Sequence, residues 1–464
     1  MDTKTFTTKN PVTNKELTTY DYMTPSEVEK NIATAFQFYH ENIEKTLLQK
    51  SQTLIQLAAE FRRKSADLAK MITTEMGKPI KDSIAEIEKS AKGYEYISEN
   101  LEKFMATEIV KSSYPKSQIV KDPIGPILAI MPWNFPVWQT TRFAAPAVGI
   151  GNPILLKHSN VTTGTAQMMT DIVNSVCPGM MYNLRINHEQ VSTLIGDSRV
   201  RAVTLTGSTQ AGRDVAAAAG KYLKKSVLEL GGSDAYIVFA DANIKNVAKI
   251  CAIARMTNNG QSCISAKRFL VEKSVLESFI KYFIEELRQF QHGDPLDIKT
   301  NTGPLASKKF QTQLLSQCEN LEKQGAEKIF DLAVEKKFEF KNQDAYFPAR
   351  AYLVNKSQSM VFTEEFFGPV ALILSFDTEI EALELSNRSV FGLGGAVFSE
   401  NILKAETFSR KLEAGFISIN EQVKSDSALP FGGVKDSGYG RELGLHGFNE
   451  FCNIKTLATT IHNN

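Results

Sequence analysis

The segment NNGQSCISAKRF, residues 258–269, places one thiol, Cys263, between the end of a predicted helix and the start of a predicted strand. A free cysteine is usually a small buried apolar residue, so a thiol alone says little about function. The turn before Cys263 is different, because residues 258–262 are polar or glycine and leave backbone N–H groups free to point at a reacting oxygen. The turn therefore favours a nucleophile.

Two further side chains have the chemistry to assist a nucleophile. Glu229 in LELGG stands at the end of an apolar strand, where burial would raise its pKa towards that of a general base. Asn134 in PWNFP lies between rigid aromatic residues and prolines, where its side-chain N–H could serve an oxyanion. The plainer alternatives are an ion-paired structural glutamate and an ordinary turn.

A glycine-bearing turn, LTGSTQAG, follows a predicted strand and opens a helix at residues 205–212. Its free N–H groups and two glycines can approach a pyrophosphate, although the segment is not GxGxxG and could be an ordinary turn. Lys157, at the end of the strand ILLK, could contact a ribose or a phosphate. A solvated strand-end lysine is the alternative.

Length and composition set the frame for these residues. A chain of 464 residues is too long for one ordinary core, so two or three domains are expected. Its 53 Lys and Arg and 52 Asp and Glu leave a net charge near zero, which does not favour binding to nucleic acid or to an anionic membrane. We therefore expect small molecules and copies of the same chain as partners.

The N-terminal segment lacks the apolar core of a signal peptide, and no apolar stretch approaches the roughly 20 residues that span a bilayer. The five cysteines are scattered and show neither metal-site spacing nor a disulfide framework, as in reduced cytosolic enzymes. The sequence therefore predicts a cytoplasmic protein without a metal site.

The hydrophobic pattern predicts where these residues lie in the fold. Amphipathic helices are expected at 24–45 and from Leu54 to Ile72, followed by a polar extended segment at 104–124. That segment fits a solvated hairpin or a dimer-forming arm. From residue 126, short apolar strands alternate with helices, which predicts a parallel sheet with a ligand at the carboxyl ends of its strands. A second α/β region begins near residue 235 and contains Cys263.

Six motifs then occur in an order that resembles the aldehyde dehydrogenase superfamily over essentially the whole chain: PWNFP, LTGSTxxG, LELGG, GQSC, EEFFGPV and PFGGVKDSGYGRELG. The resemblance implies an α/β fold with two Rossmann-type domains and a small β oligomerisation arm. By this match, residues 1–103 and 125–231 form the cofactor-binding domain, and residues 232–446 form the catalytic domain. Residues 104–124 and 447–464 form the arm, so a homodimer or homotetramer is expected.

The same resemblance implies a mechanism. A thiolate at Cys263 attacks an aldehyde, hydride passes to a nicotinamide, and water hydrolyses the thioester. Asn134 and the N–H of Cys263 hold the oxyanion, while Glu229 activates the thiol or the water. The implied cofactor contacts are Trp133, Lys157, Gly207, Ser208, Glu365 and Phe367. The segment PFGGVKDSGYGRELG is expected near the active site, with no catalytic group assigned to it.

One departure from the family pattern concerns the cofactor. Many NAD-using relatives carry a Glu three residues after the cofactor lysine, whereas this chain has Asn160 three residues after Lys157. A neutral Asn160 would not repel a 2′-phosphate, and Lys157 and Ser159 could bind it. NADP is therefore favoured, with NAD as the alternative.

Another departure concerns the substrate. Arg142 lies nine residues after Trp133, where succinate-semialdehyde dehydrogenases carry an arginine that can grip a carboxylate. Ser425 occupies a second matched position, and a surface arginine is the alternative for Arg142. Some such enzymes carry a further arginine where this chain has Thr257, and Arg255 is out of register with that position. They can also carry a second cysteine where this chain has Ser265.

The leading hypothesis is therefore an NAD(P)-dependent succinate-semialdehyde dehydrogenase, and a dehydrogenase of another small aldehyde is a close alternative. A cofactor-independent thiol hydrolase or acyltransferase is an alternative from another class. That class usually needs a partnered histidine, and no histidine lies in a nucleophile motif here. A non-catalytic scaffold is a third hypothesis, disfavoured because Cys263, Glu229 and Asn134 are all present.

Overall fold

A computed structural model gives the structure of the chain and describes residues 4–335 and 345–460. The helices are α1 Pro25–Asn42, α2 Leu47–Arg63, α3 Ser65–Met76, α4 Ile80–Met105, α5 Pro136–Ile150, α6 Thr163–Val176, α7 His188–Gly196, α8 Thr209–Lys221, α9 Ile244–Met256, α10 Leu276–Leu287, α11 Lys308–Lys323, α12 Leu332–Glu335, α13 Met360–Thr363, α14 Glu379–Asn387, α15 Ile402–Ser409 and α16 Gly444–Asn449. The strands are β1 Thr5–Lys9, β2 Glu16–Asp21, β3 Glu108–Ile109, β4 Lys116–Pro123, β5 Ile127–Met131, β6 Ile154–His158, β7 Met181–Asn183, β8 Ala202–Thr206, β9 Lys225–Glu229, β10 Ala235–Val238, β11 Arg268–Glu272, β12 Glu327–Asp331, β13 Arg350–Leu353, β14 Val370–Phe376, β15 Phe391–Gly392, β16 Gly394–Phe398, β17 Phe416–Ile419, β18 Val434–Lys435, β19 Gly438–Tyr439 and β20 Cys452–Thr459.

The N-terminal helices begin and end where local side chains dictate. Thr24 caps α1 by accepting from the N–H of Glu27, and the Glu27 carboxylate accepts from the N–H of Thr24, which completes a capping box. The prediction of a single helix from Leu54 to Ile72 is wrong, because the helix is interrupted between α2 and α3. Lys64 leaves helical geometry there (φ −93°, ψ 6°), while its N–H still bonds to the carbonyl of Glu60.

The first sheet has six strands in the order β19-β9-β8-β5-β6-β7. All neighbours are parallel except β19, which pairs antiparallel with β9. Three of the predicted motifs follow the carboxyl ends of its strands: PWNFP follows β5, the glycine-bearing turn follows β8, and Glu229 ends β9. The expected parallel sheet is confirmed, and it gathers these motifs at one edge.

The second sheet has seven strands in the order β12-β13-β14-β11-β10-β16-β17. It is parallel except for the β12–β13 pair, and apolar clusters fill both of its faces. Residues 230–234 lead directly from β9 of the first sheet into β10 of the second. Cys263 lies in the α9–β11 loop, so it meets the first sheet from the amino end of the second.

The third sheet is built from the two segments that were expected to form an arm. Strand β20 pairs antiparallel with β4 along its whole length, and β4 also pairs with the short β3. Exposed apolar side chains on these strands include Ile109, Ile454 and Leu457. Among the residues that the structure describes, no helix has the length and apolar character needed to cross a membrane.

Candidate active site

The turn before Cys263 has an unusual backbone. Asn258, Asn259 and Gly260 all have positive φ, at 52°, 54° and 73°. A β-carbon on Gly260 would lie 2.4 Å from the carbonyl of Gly368, so the position needs glycine for space as well as for conformation. Such strain is held only where the surroundings over-determine it, which is typical of functional loops.

Two buried cations hold this turn. The Nζ of Lys267 donates to the carbonyl oxygens of Ser262 and Cys263, both at 2.7 Å, and lies 3.1 Å from Oε1 of Glu365. Arg255 donates to the carbonyl of Gly260 at 2.7 Å. Sequence reasoning missed Lys267. Its position directly before a predicted apolar strand was a signal that could have marked it. Lys267 and Arg255 therefore hold the backbone around Cys263 in place.

Two cavities meet at the thiol. The first, of about 470 Å³, is lined by five cationic side chains among others, and we call it the cationic cavity. The second, of about 560 Å³, is lined by Trp133, Phe310 and Phe367, and we call it the aromatic cavity. Cys263 and Gln139 line both. Cys263 therefore stands where a molecule in one cavity would touch a molecule in the other.

The thiol itself is not activated in the free protein. The pKa of Cys263 is raised to about 12, chiefly by burial; Arg142 and Lys267 lower it, and the carboxylates of Glu365 and Glu229 add smaller upward effects. The side chain is nonetheless open to the two cavities, which explains why it counts as only half-buried by surface exposure. A base must therefore remove the proton from Cys263 before it can attack.

Asn134 contacts the turn before Cys263, and these contacts orient its amide. Its Nδ2 donates to the carbonyl of Gln261 at 3.0 Å, and its backbone carbonyl accepts from Nδ2 of Asn258 at 2.9 Å. An amide nitrogen carries two hydrogens, so one remains for a ligand. Asn134 lines the aromatic cavity together with Cys263, as an oxyanion donor must.

Glu229 is buried, as the sequence predicted, and belongs to a charge cluster that the sequence did not reveal. Burial raises its pKa well above the usual range, and repulsion from Glu442 adds to this, opposed by Arg142 and Arg441. Glu442 is buried too and lies 2.7 Å from Nε of Arg142. It belongs to the segment PFGGVKDSGYGRELG, which had no assigned catalytic group, and no local signal linked it to Glu229.

Arg142 lines the cationic cavity at its predicted place, but its guanidinium has partners beyond a substrate. Besides Glu442, its Nη2 lies 3.5 Å from Oγ1 of Thr206, and its Cζ lies 4.8 Å from the ring centroid of Phe431. Ser425 lines the same cavity. Its Oγ accepts from Nε1 of Trp138 at 3.1 Å and from Nζ of Lys89 at 2.9 Å. Lys89 was not singled out from the sequence.

The other residues of the substrate comparison differ in where they lie. Thr257 and Ser265 line the cationic cavity. Arg255 is fully buried beneath the turn and does not appear in the lining of either cavity. Neither lining contains a histidine among the described residues, whereas a hydrolase or acyltransferase of this type usually has one beside its thiol.

The aromatic cavity receives five of the predicted cofactor residues. They are Trp133, Gly207, Ser208, Glu365 and Phe367. Phe310, which the sequence did not mark, stacks on Trp133 with centroids 4.8 Å apart. Ser208 caps α8 by accepting from the N–H of Ala211, and a β-carbon on Gly212 would strike Leu230 at 2.5 Å. Flat walls next to a helix N-terminus fit an aromatic ring joined to a diphosphate.

The remaining three cofactor candidates lie at the carboxyl end of β6, with Lys157 in the strand and Ser159 and Asn160 directly after it. The Nζ of Lys157 donates to the carbonyl of His158 at 2.9 Å, and burial lowers the pKa of this lysine to about 8. The Oγ of Ser159 accepts from the N–H of Val161 at 3.3 Å. The Nδ2 of Asn160 donates to the hydroxyl of Tyr22 at 2.9 Å. No carboxylate pairs with Lys157 among the described residues, so its charge is open to an anion.

Comparison with known proteins agrees with this geometry. The description of the matching family is "Aldehyde dehydrogenase family", and the match covers residues 1–457. An aldehyde dehydrogenase of Paenarthrobacter nicotinovorans is 38% identical over 98% of this chain and 99% of its own. A succinate-semialdehyde dehydrogenase [NADP(+)] of Mycobacterium ulcerans is 36% identical over 97% of this chain and 98% of its own.

Solved structures show the same fold. The succinic semialdehyde dehydrogenase of Streptococcus pyogenes, solved with NADP+ as the cofactor, is 33% identical and superposes with a TM-score of 0.94. The likeness covers 98% of this chain and 100% of the other. The family match, the relatives and the fold agree over almost every residue. The chain therefore belongs to the aldehyde dehydrogenase family and is an enzyme that oxidises aldehydes.

Proposed function

We propose that the enzyme oxidises succinate semialdehyde to succinate and uses NADP as the hydride acceptor. The observation that carries the proposal is the cationic cavity on one side of Cys263, which suits an aldehyde that also bears a carboxylate. Relatives named as NADP-dependent succinate-semialdehyde dehydrogenases support this choice. In the balanced reaction the aldehyde carbon loses a hydride and gains an oxygen from water.

Cys263 is the proposed nucleophile. Its sulfur adds to the aldehyde carbon, and the thiol proton leaves to a base, giving a thiohemiacetal whose oxyanion faces Asn134. The free hydrogen on Nδ2 of Asn134 and the N–H of Cys263 are the proposed donors to that oxygen. Fixed donors of this kind contribute about 2.7–4 kcal/mol each to the transition state. The strained turn and Lys267 keep Cys263 in place during the addition.

Glu229 is the proposed base. Its raised pKa makes it a stronger base for the proton of the thiol, and later of the water that hydrolyses the thioester. Burial raises the pKa of Glu442, whereas its ion pair with Arg142 opposes that shift and favours a negative charge beside Glu229. That negative charge favours uptake of the thiol proton by Glu229, and Glu229 must release this proton to solvent before it can act on the water.

NADP, when bound, supplies the nicotinamide that accepts the hydride. The proposed contacts for its nicotinamide side and diphosphate are Trp133, Gly207, Ser208, Glu365 and Phe367, all in the lining of the aromatic cavity. Lys157, Ser159 and Asn160 are the proposed neighbours of the adenosine ribose. A lysine that has no acidic partner in the described part of the chain, a hydroxyl and a neutral amide suit a 2′-phosphate, whereas NAD needs no such charge.

Arg142 and Ser425 are the proposed substrate-side residues. Both line the cationic cavity, and Arg142 brings a permanent positive charge to it. The Glu442 partner of Arg142 offsets much of that charge. Arg142 also lowers the pKa of Glu229, so its proposed role includes an effect on the base at the aldehyde end of the substrate.

We also propose the domain bounds that the family resemblance implied, with 1–103 and 125–231 binding the cofactor and 232–446 carrying Cys263. The arm of residues 104–124 and 447–464 would join copies of the chain into a dimer or tetramer, because its strands expose apolar side chains. All five cysteines are free thiols, which supports a reducing compartment such as the cytoplasm.

An initial-rate assay tests the function. The purified enzyme is given succinate semialdehyde or butanal, a neutral aldehyde of equal length, with NADP or NAD, and reduced nicotinamide is followed by its absorbance. We expect the largest kcat/KM for succinate semialdehyde with NADP. Equal kcat/KM for the two aldehydes would remove succinate semialdehyde as the substrate, and equal values for the two cofactors would remove the NADP preference.

A further inference from the structure

The cations of the cationic cavity differ in whether they are already neutralised. Three of them have a carboxylate within ion-pair distance: Lys78 with Glu86, Arg142 with Glu442, and Lys424 with Glu421. Lys81 has no carboxylate at ion-pair distance among the described residues, but it adjoins Asp82 and lowers the pKa of that carboxyl, against the larger effect of burial, which raises it. A carboxylate substrate gains most from a cation that has no such partner.

Lys89 is such a cation, because Asp426 and Glu86 act on it only from beyond ion-pair distance. Across residues 4–335 and 345–460 it has no carboxylate at ion-pair distance, and its recorded polar contact is the hydroxyl of Ser425 at 2.9 Å. Its Nζ also lies 4.5 Å from the ring centroid of Trp138. An ammonium has three hydrogens, and two of them remain for an acceptor in the cavity. Burial lowers the pKa of Lys89 to about 8, which leaves it largely charged at neutral pH.

Ser425 extends the same preference for an anion. Its oxygen accepts from Lys89 and from Nε1 of Trp138, which occupies both lone pairs. The hydroxyl hydrogen must therefore point to another acceptor, and the described part of the chain records none. Lys89 and Ser425 together offer donors without an acceptor. Carboxylate oxygens complement that arrangement, whereas the methyl end of a neutral aldehyde does not.

The position of Lys89 suits the far end of a short substrate. Lys81, Ala85 and Lys89 recur every four residues on one face of α4, and all three line the cavity that also contains Cys263. The small Ala85 leaves space between the two lysines. A chain of four carbons fits easily within about 470 Å³ while its aldehyde lies at the thiol.

We propose that Lys89, assisted by Ser425, binds the distal carboxylate of the substrate and sets the preference for a semialdehyde, an inference that rests on the proposed function. Arg142 then contributes to the potential of the cavity and holds Glu442, while the direct charge-assisted hydrogen bonds come from Lys89. Substrates with a carboxylate at the same distance from the aldehyde are the class that this pair selects.

The test compares Lys89→Met, Lys89→Arg and the control Lys92→Met, each with succinate semialdehyde and butanal under saturating NADP. Lys92 lies on the same helix, but its side chain is 69% exposed. Lys92→Met therefore measures the effect of the same substitution outside the cavity. We expect Lys89→Met to lower kcat/KM for the semialdehyde roughly 10- to 100-fold, through KM, and to leave butanal unchanged. Lys89→Arg should recover much of the preference, and Lys92→Met should match the parent enzyme.

Other outcomes separate the two claims. If the parent enzyme prefers the semialdehyde and Lys89→Met keeps that preference, Lys89 is not the carboxylate site, although the proposed function stands. Equal losses on both aldehydes in a variant that unfolds at the same urea concentration as the parent would also overturn the assignment, because removal of a carboxylate ligand should affect the semialdehyde alone. Calorimetric titration with succinate provides a second measurement: affinity should fall with Lys89→Met, and an unchanged affinity would refute the inference without any use of turnover.

Discussion

The Nε of Arg142 lies 2.7 Å from Oε2 of Glu442, and these side chains are 3% and 2% exposed. A buried ion pair of this kind is costly to break, because removal of one member leaves the other charge without compensation. Glu229 lies within the electrostatic reach of both members. The arginine that the sequence marked for the substrate is thus tied to the proposed base as well.

Replacement of Arg142 by Met should damage catalysis with every aldehyde. Glu442 would lose its partner, and we expect a loss of about 3–5 kcal/mol in the free energy of unfolding. We also expect kcat/KM to fall by similar factors for succinate semialdehyde and butanal. Urea unfolding and initial rates measure the two effects. A loss confined to the semialdehyde would instead make Arg142 the direct carboxylate ligand.

Replacement of Glu442 by Gln should shift the pH dependence of the reaction. The negative charge of Glu442 raises the pKa of Glu229, second only to burial, so its removal lowers that pKa. Because Glu229 acts as a base only when deprotonated, the acid limb of the kcat profile should move to lower pH. Glu413→Gln, at an exposed ion pair with Lys435, is the control and should leave the profile in place. An unmoved acid limb in Glu442→Gln would separate the two carboxyls functionally.

The thiol of Cys263 should react slowly in the enzyme without cofactor. Its pKa of about 12 means that little thiolate exists near pH 7, so alkylation by iodoacetamide should rise about tenfold per pH unit between pH 7 and 10. Mass spectrometry of the peptide that contains Cys263 measures the rate. A plateau near neutral pH would show that the thiol is already ionised. Cys263→Ser should abolish aldehyde oxidation.

Replacement of Asn160 by Glu should turn the cofactor preference towards NAD. A carboxylate there would repel a 2′-phosphate, so the KM for NADP should rise at least about tenfold while the KM for NAD changes little. Tyr22→Phe removes the hydrogen bond to Asn160 without adding charge and is the matched control. An unchanged ratio of the two KM values in Asn160→Glu would mean that Asn160 does not determine cofactor choice.

The KM for succinate semialdehyde should rise as the pH passes about 8. Lys89 is charged below its pKa of about 8 and loses that charge above it, and four groups modulate this titration: Arg142 and Lys424 favour the neutral form, whereas Asp426 and Glu86 favour the charged form. Butanal makes no use of the charge, so its KM should stay level over the same range. A bound carboxylate stabilises the ammonium, so the rise should be gradual. Parallel profiles for the two aldehydes would contradict the role of Lys89.

Much of this protein could be predicted from sequence because local patterns carry local structure. The alternation of short apolar strands with helices predicted the parallel sheet, and the motifs after β5, β8 and β9 predicted where the site residues gather. The turn before Cys263 and the apolar run before Glu229 likewise predicted a thiol in a polar loop and a buried carboxyl. Each of these features depends on neighbours within a few residues.

Contacts between distant segments were decided only by the tertiary structure. Glu442 is 300 residues from Arg142 in the chain, and Ser425 is 336 residues from Lys89, so no local pattern could pair them. The energy of such a pair depends on distance and burial, which the fold sets and composition does not. The sequence by itself therefore determined the chemistry of the site, its family resemblance and the sheet edge that holds it. The fold decided which cations of the cationic cavity lie within ion-pair distance of a carboxylate.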